Sequence, residues 1–595
     1  MSETRQLIAP FVAVIIIGVL GYLAADYILY SGDLIVERYE ASFSSESLLT
    51  ETYVYKVGSS NEYSMLFRIW KAPLVNPDED GLDAPHVKAR SIVCPDGAVP
   101  YVKDNAGKVW TNDGSIRNTV ESRAYENEAG CFVPGMYKEG EYKITYSFWV
   151  YPPVNCDDSL CQLNLMLADR HIPFRNVEIT LPESRIVNVF PHPPDFRTSK
   201  GGGMWKVEGK SPENGLIEVE MLMKPDSARF VTGQDRVEDR TVSANSPYST
   251  YYLLLSGLKY ILIGAILGFP LILFYLYRKY GTEKASIVPE HLSYVPNRRK
   301  PWVVNRVFSS DAFDFDENGF YATLLDLNMR GFIKIEPYSN DKKKEEVRIK
   351  LLKKPDDTED LYEKDVLSFL QDWSKEGDFD TAAFKEKVKS MSSRQTEIEE
   401  LSKRVNKLMK SPYPEVSEEF ALRGGTRFGI LFLIAAALAV ISFFASSGMY
   451  PIFKEITVYS ATLAAQSVGI AFFPSSTLFG RWKGEYYKEK LEWDAFRNFL
   501  SDMAMIKKYM PQDLVIWKEW LVFGTALGAG ENVIKAMKSL KVEIPEVHAA
   551  PVVFYSFHSV NTSVTSAYST SKGGGHGGGG FGGGGGFGGG GAGGR

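Results

Sequence analysis

Four stretches of the chain lack charged residues for long enough to cross a bilayer. Residues 7–25, 260–277, 428–453 and 456–480 are uncharged and largely apolar, and a spanning helix needs about 20 such residues because every backbone amide must be paired inside the hydrocarbon. Asp26 interrupts the first stretch, which resumes as far as Tyr30, and only Lys454 and Glu455 separate the last two, which therefore predict a helical hairpin. Between the first and second stretches the period changes to two. Residues 143–150 (KITYSFWV) are rich in aromatic and branched side chains, and in residues 216–223 (LIEVEMLM) Ile217, Val219 and Met221 oppose Glu218 and Glu220 across a strand. Similar runs at 33–39, 63–70, 162–167 and 177–181, with turns at Pro152-Pro153, Pro193-Pro194 and Gly201 to Gly203, predict an antiparallel β-sandwich over residues 31–250.

Beyond the second stretch the periods mix. Residues 319–329 read as a helix, 332–336 and 346–352 as strands around a charged loop at Lys342 to Lys344, and a further helix starts near Asp360. This order predicts an α/β winged-helix-like module within residues 278–427, extended by a polar helix over 384–409. A protein-interaction or structural role is expected of it; its basic residues alternate with acidic ones, which disfavours DNA. Residues 481–544 hold two amphipathic helices, 486–509 and 514–528, and Trp517, Trp520 and Phe523 on the second suit either a membrane interface or a buried core. From 545 the chain turns rich in Ser, Thr and Val, and 18 of the 52 glycines then lie between Gly573 and Gly594. Such a composition buries too little apolar surface to offset its ordering entropy, so residues 545–595 are expected to form a disordered tail.

Charge orients these segments. Arg278, Lys279 and Lys284 follow the second stretch, Arg423 and Arg427 precede the third, and Arg481 and Lys483 follow the fourth; basic flanks stay cytoplasmic. Residues 31–250, with 23 basic and 32 acidic side chains, are then extracytoplasmic, and the C-terminal part is cytoplasmic. The first stretch is a cleaved signal peptide or a retained anchor, and either exports the region after it. All four cysteines, Cys94, Cys131, Cys156 and Cys161, fall in that exported region. An even set there implies disulfides, with Cys156 to Cys161 and Cys94 to Cys131 favoured among three connectivities. Zinc is disfavoured because the short C-x₂-C pairs and histidine partners it takes are missing. The formal net charge of −6 argues against a dominant nucleic-acid surface.

Catalytic templates fail one by one. Asp314, Asp316, Asn318 and Gly319 imitate the opening of a calcium loop, but Leu325 stands where a bidentate Glu belongs, and a helix N-terminus accounts for the same residues. No H-E-x-x-H or G-x-S-x-G occurs. His171 and His192 are read as loop residues, and Asp26 as a carboxylate at the outer end of its helix. Gly264 and Gly268 form a GxxxG, and Ala461, Ala465 and Gly469 recur every four residues; such small-residue faces support helix packing within the chain or with a partner.

The order of DLIVERYEASF (33–43), LIEVEMLM, YATLLDLNMRGFIKIE (321–336), EWDAFRNFL (492–500), FGTALGAGENVIKAM (523–537) and a glycine-rich end resembles the YciQ-like family of prokaryotic membrane proteins of unknown function. That resemblance brings no catalytic residue and no cofactor. The chain thus reads as a multidomain protein of the plasma membrane: a signal anchor or peptide (1–30), an exterior all-β sandwich (31–250), three to four transmembrane helices (251–277 and the hairpin 428–480), a cytosolic winged-helix-like module, cytosolic amphipathic helices and a glycine-rich tail. A non-enzymatic scaffold or sensor is the leading function, with envelope transport or maintenance and an exterior hydrolase as alternatives. Its expected partners are membrane lipid and other proteins or further copies of itself, without nucleic acid.

Overall fold

Alternation becomes burial along strand Gly140–Tyr151, where Ile144, Tyr146, Phe148 and Val150 point into the core and the residues between them do not. In this computed structural model, which describes residues 3–595 except 45, 226–228, 341–343, 392–393, 473–476, 509–512 and 572–590, the chain forms two compact units. One comprises residues 11–270, 429–469 and 581–595; the other comprises 1–10, 271–428 and 470–580.

The first unit is built on three sheets. The largest orders eight strands as Arg197–Gly201, Met204–Ser211, Phe174–Pro182, Leu34–Phe43, Leu48–Val57, Gly140–Tyr151, His86–Val93 and Leu74–Val75. A five-stranded sheet runs Ile186–His192, Ile217–Met223, Cys161–Ala168, Pro153–Cys156 and Phe230–Gly233, and another is centred on Met65–Ile69 and Glu128–Phe132. One hydrophobic core draws on all three. The purely antiparallel expectation needs correcting, because Leu34–Phe43 runs parallel to Phe174–Pro182, and Pro153–Cys156 parallel to Phe230–Gly233. Parallel partners need long crossovers, which short turn signals do not announce. The cysteines pair as Cys94–Cys131 and Cys156–Cys161.

A charged pair lies inside this core. Arg68 Nε donates to Glu51 at 3.1 Å with both side chains fully inaccessible, and the Tyr39 hydroxyl donates to the same carboxylate at 2.6 Å. Burial alone would push the guanidinium down, but Glu51 more than compensates, so Arg68 stays above its ordinary value.

Three helices among the described residues are long and apolar enough to cross a membrane: Leu7–Tyr30, Val237–Gly281 and Thr426–Ala445. The fourth expected span forms helix Ile452–Phe472, which is of spanning length but carries polar Gln466, Ser460 and Ser467, all fully buried. Gln466 Nε2 donates to the backbone oxygens of Val14 (3.0 Å) and Ile266 (3.2 Å), tying three helices together at one side chain. The approach is close: a Cβ on Gly18 would sit 2.6 Å from that same Gln466 nitrogen. The second stretch is also longer than expected, since helix Val237–Leu276 starts well before its apolar part.

In the other unit, helices Pro301–Phe308, Glu317–Met329 and Leu361–Asp372 flank a three-stranded sheet of Ile333–Ser339, Glu345–Leu351 and Asp378–Asp380. Asp316 caps Glu317–Met329 by accepting from Asn318 N, the role its position before a helix implies. Helix Leu514–Ala526 buries Trp517 and Trp520 in the core, which decides between the two environments read from its sequence. Residues 545–571 depart from the expected disorder: Pro545–Ser571 is a helix, and Val553, Phe557, Val560 and Val564 on its inner stripe fill the core. These apolar positions recur at helical spacing among Ser and Thr, which masks them in a composition average. Lys342 and Lys343 of the expected loop, and residues 572–590 of the expected tail, lie outside the described residues. One core joins residues from Leu292 to Ala567, so the chain on both sides of the hairpin contributes to the same interior.

Candidate functional site

Strand Ile217–Met223 alternates, which predicts one apolar face and one face of carboxylates. Both faces are covered. Glu218 and Glu220 are only 6% and 9% exposed, because the N-terminal turns of helix Val237–Leu276 lie over them. The buried positions of that helix are Val237, Thr241, Asn245, Tyr248, Tyr252 and Leu255, a stripe with the spacing of an α-helix. One of its polar members, Asn245, reaches Glu220.

The contacts form one network. His192, on the neighbouring strand Ile186–His192, places Nδ1 2.7 Å from Glu218 Oε1 and Nε2 2.7 Å from Asn245 Oδ1. The Asn245 amide nitrogen donates to Glu220 Oε2 (2.7 Å) and to the Thr241 backbone oxygen (2.9 Å). Gln162 donates to Glu220 Oε1 at 2.6 Å, and Asn164 to Glu218 Oε1 at 3.0 Å. Both amide hydrogens of Asn245 are thereby committed, so its oxygen needs a donor from His192. Nδ1 faces the Glu218 side chain, an arrangement that favours the protonated ring. Burial pushes His192 down, but its bonds to Glu218 and Asn245 outweigh that and hold it above the usual histidine value.

Four further contacts converge on the same strand and helix. The Tyr248 ring meets the His192 ring edge-on at 5.1 Å, and its hydroxyl donates to the Met449 backbone oxygen at 2.7 Å. Met449 lies in the turn between helices Thr426–Ala445 and Ile452–Phe472. That turn touches the approach to strand Ile217–Met223 directly, with Leu216 N donating to Gly448 O at 2.8 Å. At the other end of the network, Asp157, inside the loop closed by Cys156–Cys161, accepts from Val237 N at 2.8 Å and so caps the helix. Bonds from the Leu160 backbone, the Ser159 hydroxyl and the Val237 backbone hold the Asp157 carboxyl well below its ordinary range.

The residues singled out from sequence are distributed unevenly around this junction. His192 is at its centre, whereas His171 is buried between the backbone oxygens of Ile172 and Gly215, and burial pushes it down to about 4. Asp26 pairs with Lys210 at 2.8 Å. A Cβ on Gly264 or Gly268 would meet nothing within 4 Å, and Ala461 and Ala465 are exposed. Packing within the chain instead uses Gly18 and Gly21 against Gln466 and Thr462. Gly469 does lie against Ile17, whose Cδ1 a Cβ there would meet at 3.9 Å; the expected role of the small-residue faces towards a partner stays a proposal. Asn245 and Thr241 carry no apolar signal of their own; the 4-4-3-4-3 spacing of Val237, Thr241, Asn245, Tyr248, Tyr252 and Leu255 is what marks their helix face in the sequence.

In the second unit, a cavity of about 930 Å³ is lined by Glu317, Lys535, Lys538 and His558 among others. Burial raises Glu317, yet donation from Tyr321 (2.6 Å), His558 and Asn561 holds it below the ordinary glutamate value.

Residues 36–223 match the family model described as "Predicted membrane protein (DUF2207) N-terminal domain", and residues 288–537 match its C-terminal counterpart. No curated protein matches. Among solved structures, the chain shows a slight likeness to a mutant two-domain M1 zinc metallopeptidase bound to L-tryptophan, at 10% identity and a TM-score of 0.18. The match covers 33% of this chain and spans less than half, 44%, of that one.

Proposed function

Because the chain belongs to the DUF2207 family of predicted membrane proteins, whose two domain models fall on either side of helix Val237–Leu276, we propose that it is a scaffold or sensor coupling an exterior β domain to a cytosolic module. The observation that carries this reading is the His192–Asn245 bond, which fixes a sheet of the β domain to a helix continuing for a further 31 residues to Leu276. A helix held this way transmits displacement of the sheet along its axis.

The path of the chain is part of the proposal. Four crossings of the plasma membrane place residues 31–250 outside and residues 278–427 and 481–595 inside. The disulfides favour an oxidising exterior, and the basic flanks favour a cytosolic interior. A core shared between residues before and after the hairpin favours two crossings there, since an odd number would separate its halves. The order of segments supports the finer YciQ-like reading, and the helix-and-sheet order after Pro301 supports a winged-helix-like module.

Crosslinking in native membranes, followed by purification of the chain, tests the coupling. A coupling protein yields partners from both faces, and N245L changes the cytosolic set. An identical cytosolic set in N245L overturns the proposal.

A second reading, envelope transport or maintenance, is favoured by one observation. A cavity of about 480 Å³ lies beside Tyr22, Asp26, Lys210, Glu455 and Tyr459, at the outer end of two apolar helices. Flux or lipid binding by the reconstituted protein, lost in E455Q, is its test.

A further inference from the structure

The β domain holds a peptide in a built groove. Residues 592–594 add a strand to Met65–Ile69 in antiparallel register, with Ala592 opposite Arg68, Gly593 opposite Phe67 and Gly594 opposite Leu66. Backbone bonds flank this pairing at both ends. Ile69 N donates to Gly591 O (2.7 Å), Arg595 N to Met65 O (3.0 Å), and Ser64 N and Met65 N both to Arg595 O (2.6 and 2.9 Å). On the other side Ile172 N donates to Ala592 O at 3.2 Å, so the segment is clamped between a strand and a loop.

Two features make the groove selective. A Cβ on Gly593 would stand 2.9 Å from the Phe67 ring, and one on Gly594 would stand 2.6 Å from a Leu34 methyl and 2.9 Å from the Tyr63 ring. Real Cβ atoms do not approach so closely, so a larger residue at either position requires Phe67, Leu34 or Tyr63 to shift, and glycine fits without that movement. The Arg595 guanidinium, by contrast, enters a pocket with Phe67 and Tyr125 each 4.2 Å from it. Its floor is Glu128, which is completely buried and ion-paired with Arg595. Glu128 is oriented by the Tyr101 hydroxyl (2.6 Å) and by Tyr125 N (3.1 Å). A buried carboxylate under two aromatic faces suits a planar cation, which stacks and bonds at once; a lysine ammonium does only one of these well.

We infer that the β domain is a strand-addition receptor for an extended Gly-Gly-Arg segment, with residues 591–595 displaying the ligand chemistry. Strand addition supplies sequence-independent affinity, and the pockets supply specificity. The occupant is a segment of a separate polypeptide on the side of the β domain. This choice rests on the four-crossing path proposed above, which leaves the chain's own residues 591–595 on the opposite face, beyond hydrocarbon that unpaired backbone does not cross.

The test uses the full chain in lipid nanodiscs, open to both faces, and a fluorescent peptide Gly-Ala-Gly-Gly-Arg. Saturable binding to the intact chain is expected. A roughly thirtyfold loss is expected for Gly-Ala-Gly-Gly-Glu, for Gly-Ala-Leu-Gly-Arg and for the variant E128Q. The milder F67L, which keeps the apolar wall, weakens arginine peptides only. Equal binding of the Arg and Glu peptides overturns the receptor and leaves the membrane path standing. Binding that appears only after Arg595→Ala empties the groove keeps the receptor, overturns the separate occupant and with it the four-crossing path.

Discussion

Asn245 on the long helix accepts a hydrogen bond from His192 on the sheet at 2.7 Å, and the direction of that bond is set by the other two commitments of the same amide. Reversing the amide would place its oxygen against the Glu220 carboxylate. The imidazole is therefore a structural member of the junction, and its bonds to Glu218 and Asn245 favour the protonated form.

Acidity should act on the junction through His192 with a definite sign. Its folded value lies above the unfolded one, near 6.5, so its contribution is complete below that value and disappears as pH rises through the raised folded value. The apparent melting temperature of the purified protein should fall as pH rises across this window. In H192Q, which accepts or donates without titrating, that limb should flatten, and an unchanged pH profile would remove the histidine from the account.

Removing the Asn245 side chain should separate helix from sheet at modest thermodynamic cost. N245A leaves Glu220 and the His192 Nε2 hydrogen without one partner each in a buried setting, worth about 1–3 kcal/mol. Thermal unfolding in detergent measures the loss. Hydrogen exchange should localise it to Val237–Leu276 and Ile217–Met223.

The pair Arg68–Glu51 should behave asymmetrically. Either R68M or E51Q alone strands or unbalances a charge in the core and is expected to cost about 3–5 kcal/mol, whereas R68M combined with E51L should recover most of that. A double-mutant cycle on denaturant midpoints decides, and additive losses would mean that the two side chains do not act together.

Asp157 links a disulfide loop to the start of the helix. Its carboxyl is depressed in the folded chain, so the cap holds above the ordinary aspartate range and weakens only as pH falls through the lowered value. D157A, or reduction of Cys156–Cys161, should speed amide exchange at Val237 and the turn after it while leaving the strands of the large sheet protected. Equal exchange in wild type and D157A would show the cap to be idle.

Period-two alternation located strands such as Gly140–Tyr151 and Cys161–Ala168 to within a few residues, because one face of each is apolar and the pleat forces the other outward. Strand Ile217–Met223 was legible in part. Its glutamates marked one face of the strand but not what covers that face, a helix that reaches Glu220 through Asn245. The parallel pairing of Leu34–Phe43 with Phe174–Pro182 spans more than 130 residues and has no local signature. Helix Pro545–Ser571 was hidden for a related reason, since Ser and Thr are spread along it while a stripe that includes Phe557 and Val560 carries the packing. Composition averages over a helix; burial selects one stripe of it.

The interior that runs from Leu292 to Ala567 has a consequence for how the chain is made. Trp302 and Tyr362 leave the ribosome long before Trp493, Trp517 and Phe557, and the apolar hairpin is synthesised in the interval. On the proposed four-crossing path, the earlier half presents an unfinished apolar surface until that hairpin has entered the bilayer and turned back. Correct insertion thereby becomes a checkpoint for the soluble part, and a chain stalled at the hairpin is exposed to chaperones and proteases.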